Sequence, residues 1–360
     1  MEQNIKLPIK KHLGSLVRIP NAANDGQKYL RLDKNENHIS FPQEFLSEIK
    51  QLITADFVST YPELSSLANS IASSLGCKTN NIYLTAGSDA AIKSIFEIFI
   101  NPGEQVAILN PTYAMYYVYA QIFQADLIKI DCNEALSFSP DEICTCIAKQ
   151  KPKLICLANP NSPTGTIINP NNLESIIKAA YKYSTIILVD EAYYLYYPKS
   201  VVRLINKYPN LVITRTFSKA YGLASARVGY AVGSKEMIAM LHKVRPMYEV
   251  NAIGAKFVEH LLEHPTVTKK NVSLALKAKK YLEHELDKMG LSYFKSYANF
   301  VLIDVGSFEK SFEIVEELKT HKILIKGAFS HQHLKKCIRV TIGPSEQMRR
   351  FIRALKGTLK

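Results

Sequence analysis

The stretch from residue 211 to residue 233 reads LVITRTFSKAYGLASARVGYAVG and contains two apolar runs. The runs at 211–214 and 228–232 have the length and composition of buried β-strands. Only a predicted loop lies between them, whereas two parallel strands need a longer crossover connection. We therefore expect the second strand to run antiparallel to the rest of its sheet.

Upstream of this stretch, short apolar runs alternate with helical patterns. The runs lie at 82–85, 105–109, 153–157 and 186–189. Near-continuous apolar strands that alternate with helices are typical of a mostly parallel sheet covered on both faces. The predicted fold class is therefore α/β. Further upstream, a helical stripe opened by Pro42 predicts one helix over 42–57.

The two ends of the chain have a different character. The first 30 residues contain several turn-forming residues and predict an irregular arm. After residue 233 helical patterns prevail, with short strands predicted at 300–304, 323–325 and 337–342, which together indicate a smaller α+β domain. We expect an arm that also joins the small domain over 1–35, a large domain over 36–250 that carries the main site, and the small domain over 251–360.

Composition narrows the class of protein. The chain has 360 residues with 45 Lys and Arg against 32 Asp and Glu, a formal net charge of +13. No Lys/Arg run exceeds three residues, so we expect anionic small-molecule ligands and no nucleic acid. The six cysteines show no Cys-x-x-Cys spacing, and neither a secretory leader nor an apolar stretch of membrane-spanning length is recognisable. These features predict a cytoplasmic protein without membrane association.

Several polar segments follow the predicted strands directly. They are Ala86-Gly87-Ser88-Asp89, Asn159-Pro160-Asn161-Ser162-Pro163-Thr164-Gly165, Asp190-Glu191-Ala192-Tyr193, Thr216-Phe217-Ser218-Lys219 and, eight residues beyond the lysine, Arg227. In an open α/β sheet the carboxyl ends of the strands are where ligands bind. We therefore expect these segments to form one site.

The side chains of these segments suit a single ligand. A helix start with small and hydroxyl residues binds phosphate; the candidates are Gly87, Ser88, Asp89, Thr216 and Ser218. Arg227 can neutralise the same phosphate, and Lys219 can form a Schiff base with an aldehyde. Asp190 can pair with a protonated pyridine nitrogen, Tyr193 can bond a ring hydroxyl, and Tyr113 can stack on the ring. Together they specify pyridoxal 5′-phosphate.

Longer motifs show a resemblance to a known family. The motifs are RTFSKAYGLASARVGY from residue 215, LDKNEN from 32, Tyr61-Pro62, AGSDAAI from 86, PTYAMY from 111, NPNSPTG from 159, VDEAYY from 189, YANFVL from 297 and IRVTIG from 338. Their order resembles that of the histidinol-phosphate aminotransferase group within the fold-type I aminotransferases. The resemblance implies a three-layer large domain with a mostly parallel sheet, and pyridoxal phosphate as cofactor.

The resemblance also implies roles for residues around the cofactor. Lys219 resembles the lysine that links to the cofactor and later carries a proton between substrate and cofactor. Asp190 resembles the partner of the pyridine nitrogen, Tyr193 that of the ring hydroxyl, and Tyr113 the stacking aromatic. The residues that resemble the phosphate cup are Gly87, Ser88, Asp89, Thr216, Ser218 and Arg227. Tyr61 resembles a residue that reaches the phosphate of the neighbouring subunit, which implies a homodimer with shared sites.

On the substrate side, Arg339 resembles the arginine that binds the α-carboxylate of the amino acid. Asn37 lies in the loop expected to face it, and Tyr248 lies in a stretch that resembles part of the cavity wall. The pattern departs from the family in two places. Ser162 stands where an asparagine is frequent, so either Asn161 or Ser162 contacts the ring hydroxyl, with Asn161 favoured.

The second departure concerns the distal part of the substrate. The small-domain strand carries Lys326 where many members have an arginine, and the arm has Arg18 but no tyrosine before Tyr29. We expect Lys326 and Arg18 to bind a phosphate or another anion of the substrate. The organic part of the substrate is left open by these differences.

The predicted activity is transfer of an amino group from a donor, glutamate being expected, to a small phosphorylated or anionic carbonyl compound. Candidate acceptors are imidazole acetol phosphate, a short phospho-ketone such as dihydroxyacetone phosphate, or an aromatic keto acid. One alternative is a decarboxylase of amino acid O-phosphates on the same fold. Another is a non-catalytic binding or regulatory protein that has kept the fold.

Histidines were considered as metal ligands. His260 and His264 stand four residues apart on a predicted helix, which is a ligand spacing. Their neighbours Glu259 and Glu263, with two leucines between, indicate an amphipathic surface helix instead. We expect no metal.

Overall fold

The computed structural model describes residues 9–16 and 29–359. The strands are β1 (Leu30–Arg31), β2 (Ile82–Thr85), β3 (Gln105–Asn110), β4 (Asp126–Asp131), β5 (Leu154–Ala158), β6 (Ile186–Asp190), β7 (Leu211–Thr216), β8 (Gly229–Gly233), β9 (Tyr293–Phe294), β10 (Phe300–Asp304), β11 (Ile323–Leu324) and β12 (Cys337–Thr341). The helices are α1 (Gln43–Leu52), α2 (Ala55–Ser59), α3 (Ser65–Leu75), α4 (Ser88–Phe99), α5 (Ala114–Ile122), α6 (Pro140–Gln150), α7 (Pro170–Lys182), α8 (Lys235–Leu241), α9 (Ala252–Glu263), α10 (Pro265–Lys288), α11 (Phe308–Thr320) and α12 (Ser345–Thr358).

Seven strands form one large sheet in the order β2-β8-β7-β6-β5-β3-β4. The five strands from β7 to β4 in that order are parallel, and β8 runs antiparallel to both of its neighbours. The mostly parallel α/β sheet with an antiparallel member, predicted from the stretch 211–233, is thereby confirmed. The carboxyl ends of β3, β5, β6 and β7 meet at one edge of the sheet.

Alternate side chains of the sheet enter two separate cores, because successive residues of a strand point to opposite faces. On β5, Ile155 and Leu157 pack with α1, α3, α6, α7 and α9. Leu154 and Cys156 pack on the other face with α4, α5 and α8. The sheet is therefore the middle layer of three, as the α/β prediction requires.

A smaller assembly of strands and helices follows. The antiparallel strands β9, β10 and β12 form a sheet in the order β12-β10-β9, and β1 pairs in parallel with β11 near the other end of the chain. Helices α10, α11 and α12 cover these strands. Helix α9 contacts α1, α2 and α3, and its residues Val258 and Leu261 belong to the core on that face of the large sheet. The domain limits remain a prediction, and this packing leads us to propose that the small domain starts at α10.

Two local features differ from the sequence prediction. The helix predicted over 42–57 is interrupted: Ile53 is extended, and the Thr54 side chain caps α2 by accepting a bond from Phe57 N. The edge strand β4 was not predicted, because its segment mixes exposed polar residues with few apolar ones. Within the described residues, no helix combines the length and the apolar character that crossing a bilayer requires.

Candidate active site

A cavity of about 850 Å³ lies at the carboxyl edge of the large sheet, against the small domain. Many of the predicted site residues line it; they are Ser88, Asp89, Tyr113, Ser162, Asp190, Tyr193, Thr216, Ser218, Lys219, Arg227, Lys326 and Arg339. These residues come from loops that are far apart in the sequence. The topology of the sheet brings them together, as expected for an open α/β fold.

Asp190 ends β6 at the floor of the cavity and is almost fully buried. Its carboxylate accepts hydrogen bonds from Thr214 Oγ1 at 3.0 Å and from Tyr116 Oη at 3.2 Å. No cationic side chain among the described residues pairs with it. Burial therefore raises the pKa of Asp190 to about 6, although the two hydrogen bonds act to lower it. A buried carboxylate of this kind fits a cationic ring nitrogen in the cavity.

Lys219 follows β7, and its amine points into the same cavity. The Nζ atom donates a hydrogen bond to the backbone oxygen of Lys34 at 3.0 Å and lies 6.0 Å from the centre of the Tyr193 ring. It has no acidic partner among the described residues. An amine held by one carbonyl bond is available for covalent chemistry with a carbonyl group.

The start of α4 forms an anion-binding cradle with Arg227. The helix begins at Ser88 after Gly87, whose φ of +89° suits glycine. A Cβ on Gly87 would lie 2.6 Å from Arg227 Nη2, and a Cβ on Gly229 would collide with the backbone of Ser88. Arg227 also donates to Ser218 Oγ at 3.2 Å. Free helix N–H groups beside a guanidinium fit a phosphate.

The remaining walls of the cavity are aromatic and polar. The hydroxyl of Tyr113 donates a hydrogen bond of 3.3 Å to Asp89, and its ring packs against the ring of Tyr116 in a T-shaped arrangement. The hydroxyl of the buried Tyr193 accepts a hydrogen bond of 2.9 Å from Asn35 Nδ2. Asn35 was not predicted as a site residue. Its position in the LDKNEN motif was the sequence signal that could have indicated it.

Positively charged side chains also line the cavity. Arg339, on β12, donates to the backbone oxygen of Asp33 at 2.8 Å and lies 3.5 Å from Ser162 Oγ, while its buried Nε has no partner among the residues that the structure describes. Lys326 pairs with Arg339 through backbone hydrogen bonds in both directions. An unpartnered guanidinium N–H here suits a substrate carboxylate.

Three further basic side chains of the lining were not predicted as site residues. Lys34, Lys129 and His331 also line the cavity. Lys129 extends from the unpredicted edge strand β4, so its position could not be inferred without the strand order. His331 lies 4.0 Å from Asp131, and burial lowers its pKa.

The sequence of this chain is similar to those of known proteins, and these similarities agree with the architecture described above. A family model described as "Aminotransferase class I and II" matches residues 19–355. The chain belongs to the class I and II aminotransferase family. A histidinol-phosphate aminotransferase of Thermoanaerobacter pseudethanolicus is 33% identical over 91% of this chain and 93% of its own length. Another, of Buchnera aphidicola subsp. Schizaphis graminum, is 32% identical over 99% of both chains.

Solved structures of aminotransferases share the fold. A histidinol-phosphate aminotransferase from Sinorhizobium meliloti, in complex with pyridoxal-5′-phosphate, superposes with a TM-score of 0.90 at 23% identity, covering 99% of this chain and 98% of that one. The aspartate aminotransferase from Thermus thermophilus with maleate has a TM-score of 0.82 at 17% identity, covering 98% and 100%. The expectation of a fold-type I aminotransferase architecture is therefore confirmed.

Not every predicted residue of this aminotransferase reaches the cavity. Asn161 is buried. Its side-chain oxygen accepts a hydrogen bond from Thr112, and its side-chain nitrogen donates to Thr164 and to the backbone oxygen of Pro111. The structure therefore brings Ser162, and not the favoured Asn161, to the cavity. Asn37 bonds the backbone oxygen of Ala220 and does not line the cavity.

The remaining predictions fall outside the cavity or outside the described chain. Tyr61 is 72% exposed and Tyr248 is 49% exposed, and their rings stack 4.1 Å apart on the surface of the aminotransferase. Neither lines the cavity of this single chain. Arg18 lies outside the described residues.

Proposed function

We propose that this aminotransferase uses pyridoxal 5′-phosphate to move an amino group between glutamate and a small phosphorylated carbonyl compound. The observation that carries the proposal is the placement of three groups in one cavity. These are the buried carboxylate of Asp190, which has no cationic partner in the described part of the chain, the amine of Lys219, and the anion cradle at Gly87 and Arg227.

Each group has a task toward the cofactor. Arg227 and the first N–H groups of α4 would bind its phosphate, and Asp190 would pair with its ring nitrogen. Lys219 would hold it covalently, and Tyr193 and Ser162 would face its ring hydroxyl. The bound cofactor supplies an electron sink that weakens the bonds at the substrate Cα. With its amine free, Lys219 would take the proton from that Cα and deliver it to the aldehyde carbon of the cofactor.

The substrate end of the cavity supports an anionic ligand. Arg339 offers guanidinium N–H groups to an α-carboxylate, and its unpartnered Nε is the structural sign of that role. Lys34, Lys129, Lys326 and His331 add positive or protonatable groups to the lining of the same cavity. A second anion, such as a phosphate, would be attracted there. Relatives named histidinol-phosphate aminotransferase at 31–33% identity make a histidinol-phosphate-like substrate the first choice.

A panel of half-reactions tests this function. The enzyme loaded with cofactor is mixed with one amino compound at a time, and the near-ultraviolet and visible absorbance of the cofactor is followed. We expect glutamate and a phosphorylated amine such as histidinol phosphate to reduce the absorbance of the cofactor–lysine linkage. Unphosphorylated histidinol should react far less well. Equal reaction of histidinol and its phosphate would contradict the phosphate preference. Release of carbon dioxide from phosphoserine without any amino acceptor would show a decarboxylase instead.

We further propose that the enzyme works as a homodimer with shared sites. The support is the exposed aromatic surface formed by Tyr61, Met247 and Tyr248, in which Tyr61 is stacked on Tyr248. Exposed aromatic and methionine side chains of this kind are enriched at interfaces between proteins. The resemblance of Tyr61 to a residue that crosses to a neighbouring subunit points the same way.

A further inference from the structure

Three potential metal ligands meet on the surface, away from the active-site cavity. They are Glu48 of α1, His260 of α9 and His264, the residue that follows α9. One ligand atom from each lies within 4.8 Å of the other two, and Glu48 Oε2 is 2.8 Å from His260 Nε2. The sequence showed the two histidines four residues apart, but Glu48 joins them only through the packing of α1 on α9.

The two imidazole rings are held in place before any ion binds. His260 is only 8% exposed, and its ring packs on Phe45 with 4.8 Å between the ring centres. Nδ1 of His264 lies 2.8 Å from the backbone oxygen of His260, which is a geometry for an N–H donor. That bond leaves Nε2 of His264 as the unprotonated nitrogen. Histidines that bind metals are commonly oriented by such a bond from the other ring nitrogen.

The chemistry of the three side chains selects the kind of ion. Two imidazoles and one carboxylate suit zinc and the neighbouring divalent transition metals, whereas magnesium and calcium prefer oxygen ligands alone. Glu263, whose Oε2 lies 3.9 Å from His260 Nδ1, adds negative charge at the rim. Glu48 is half exposed, so an ion has access from solvent.

We propose that Glu48, His260 and His264 form a three-ligand site for a divalent transition-metal ion such as zinc, with a water molecule as the fourth ligand. The ion would tie α1 to the end of α9, in place of the single hydrogen bond between Glu48 and His260. Because it binds the folded chain, it would stabilise the fold by mass action. The site is separate from the cavity, so it does not depend on the proposed reaction.

Titration of the chelator-treated holoenzyme with zinc chloride, followed by calorimetry, tests the site. We expect one ion per chain and a melting temperature that rises until the site is saturated. His264→Gln and Glu48→Gln should each weaken binding at least about tenfold, since each removes a ligand. Cobalt as a probe should give the visible absorption of a four-coordinate ion in the parent protein only.

His321→Gln is the matched control, because His321, like His264, directly follows a helix, and it forms an exposed pair with Glu317 of α11. It should leave zinc binding and the melting curve unchanged. Circular dichroism establishes that each variant is folded before titration. Absence of zinc binding by the parent protein at micromolar concentration would overturn the proposal. Binding with the same affinity in the His264 and Glu48 variants would overturn it as well.

Discussion

Asp190 is the residue whose environment says most about the site. Its position at the end of a buried strand could be predicted from the sequence, because an acid follows an uninterrupted apolar run. Its hydrogen bonds to Thr214 and Tyr116 could not, since they depend on the order of the strands and on the packing of α5. The result is a carboxylate that is costly to ionise unless a cation occupies the cavity.

The raised pKa of Asp190 has a consequence for stability without cofactor. The folded-state pKa, about 6, lies above the value of an unfolded chain, so ionisation destabilises the fold as pH rises through the interval between them. Asp190→Asn should therefore stabilise the cofactor-free protein above pH 6, by on the order of 3 kcal/mol. Urea unfolding at several pH values measures this, and the difference should vanish toward pH 4.

The same substitution should act in the opposite direction on cofactor binding. Asp190→Asn removes the partner of the ring nitrogen, so the cofactor should bind more weakly even though the empty protein is more stable. Asp126→Asn, at an exposed position of the same sheet, is the control and should change neither quantity. A cofactor-free Asp190→Asn protein that is less stable than its parent at pH 7 would refute the account of this residue.

Substitution of Lys129 tests the proposed binding of a substrate anion in the cavity. Lys129→Gln should raise the KM for a phosphorylated substrate about tenfold or more, because a hydrogen bond to a charged group contributes about 1.5–3 kcal/mol. The kcat should change little, and an unphosphorylated analogue should be unaffected. Steady-state kinetics with the two substrates measure the effect. Lys149→Gln, at an exposed lysine of α6, is the control; an equal loss for both substrates would exclude a role in phosphate binding.

At the scale of elements, the junction between β2 and α4 forms the phosphate cradle. The Gly-Ser-Asp sequence predicts a helix start. In the structure, the side chain of Arg227 lies against Gly87, although the two residues are far apart in the sequence. Strand β8 brings Arg227 there, because β8 pairs with β2. The antiparallel strand inferred from residues 211–233 is therefore what completes the cradle.

Gly87→Ala tests whether the close approach of Arg227 to Gly87 matters for cofactor binding, apart from the backbone strain that any side chain causes at a positive φ. The new methyl group would meet Arg227, so we expect cofactor affinity to fall at least about tenfold. Gly103→Ala is the matched control, because Gly103 also has positive φ but open space around it. Equilibrium titration with the cofactor measures both variants. Equal affinities in the two variants would show that the approach of Arg227 to Gly87 is unimportant.

Most strands and helices could be predicted from apolar periodicity, and the exceptions have physical causes. Strand β4 lies at the sheet edge, where exposed positions carry polar residues such as Lys129 between the apolar ones. The break between α1 and α2 depends on Thr54, whose side chain caps a helix where periodicity alone favours continuation. In both places, local side-chain effects outweigh the tendency that the hydrophobic pattern indicates, so the pattern alone does not predict them.

At the scale of the whole molecule, the cavity lies between parts of the chain that are distant in sequence. The loop at residues 33–37 contacts Lys219 and Tyr193 of the large sheet as well as Arg339 of the small one. Motifs predicted many of the residues that line the cavity, but not the bonds of this loop. Tyr61 and Tyr248 remain exposed in a single chain, which is why the assembly has to be tested separately.

Mixed dimers test the shared site. Lys219→Ala and Tyr61→Ala proteins are each expected to be strongly impaired. If Tyr61 serves the neighbouring subunit, a mixed dimer has one site with both residues intact, so refolding the two variants together should restore activity. The restored activity should scale with the fraction of mixed dimers separated by affinity tags. No recovery in purified mixed dimers would contradict a shared site.

Covalent attachment of the cofactor at Lys219 is the central claim, and borohydride reduction followed by peptide mass mapping tests it most directly. The protein is incubated with pyridoxal phosphate, reduced and digested. The account predicts that the peptide containing Lys219 carries the reduced cofactor, and that Lys219→Ala abolishes this label. A Lys219 peptide that stays unmodified while the cofactor is lost or attached to another lysine would contradict it.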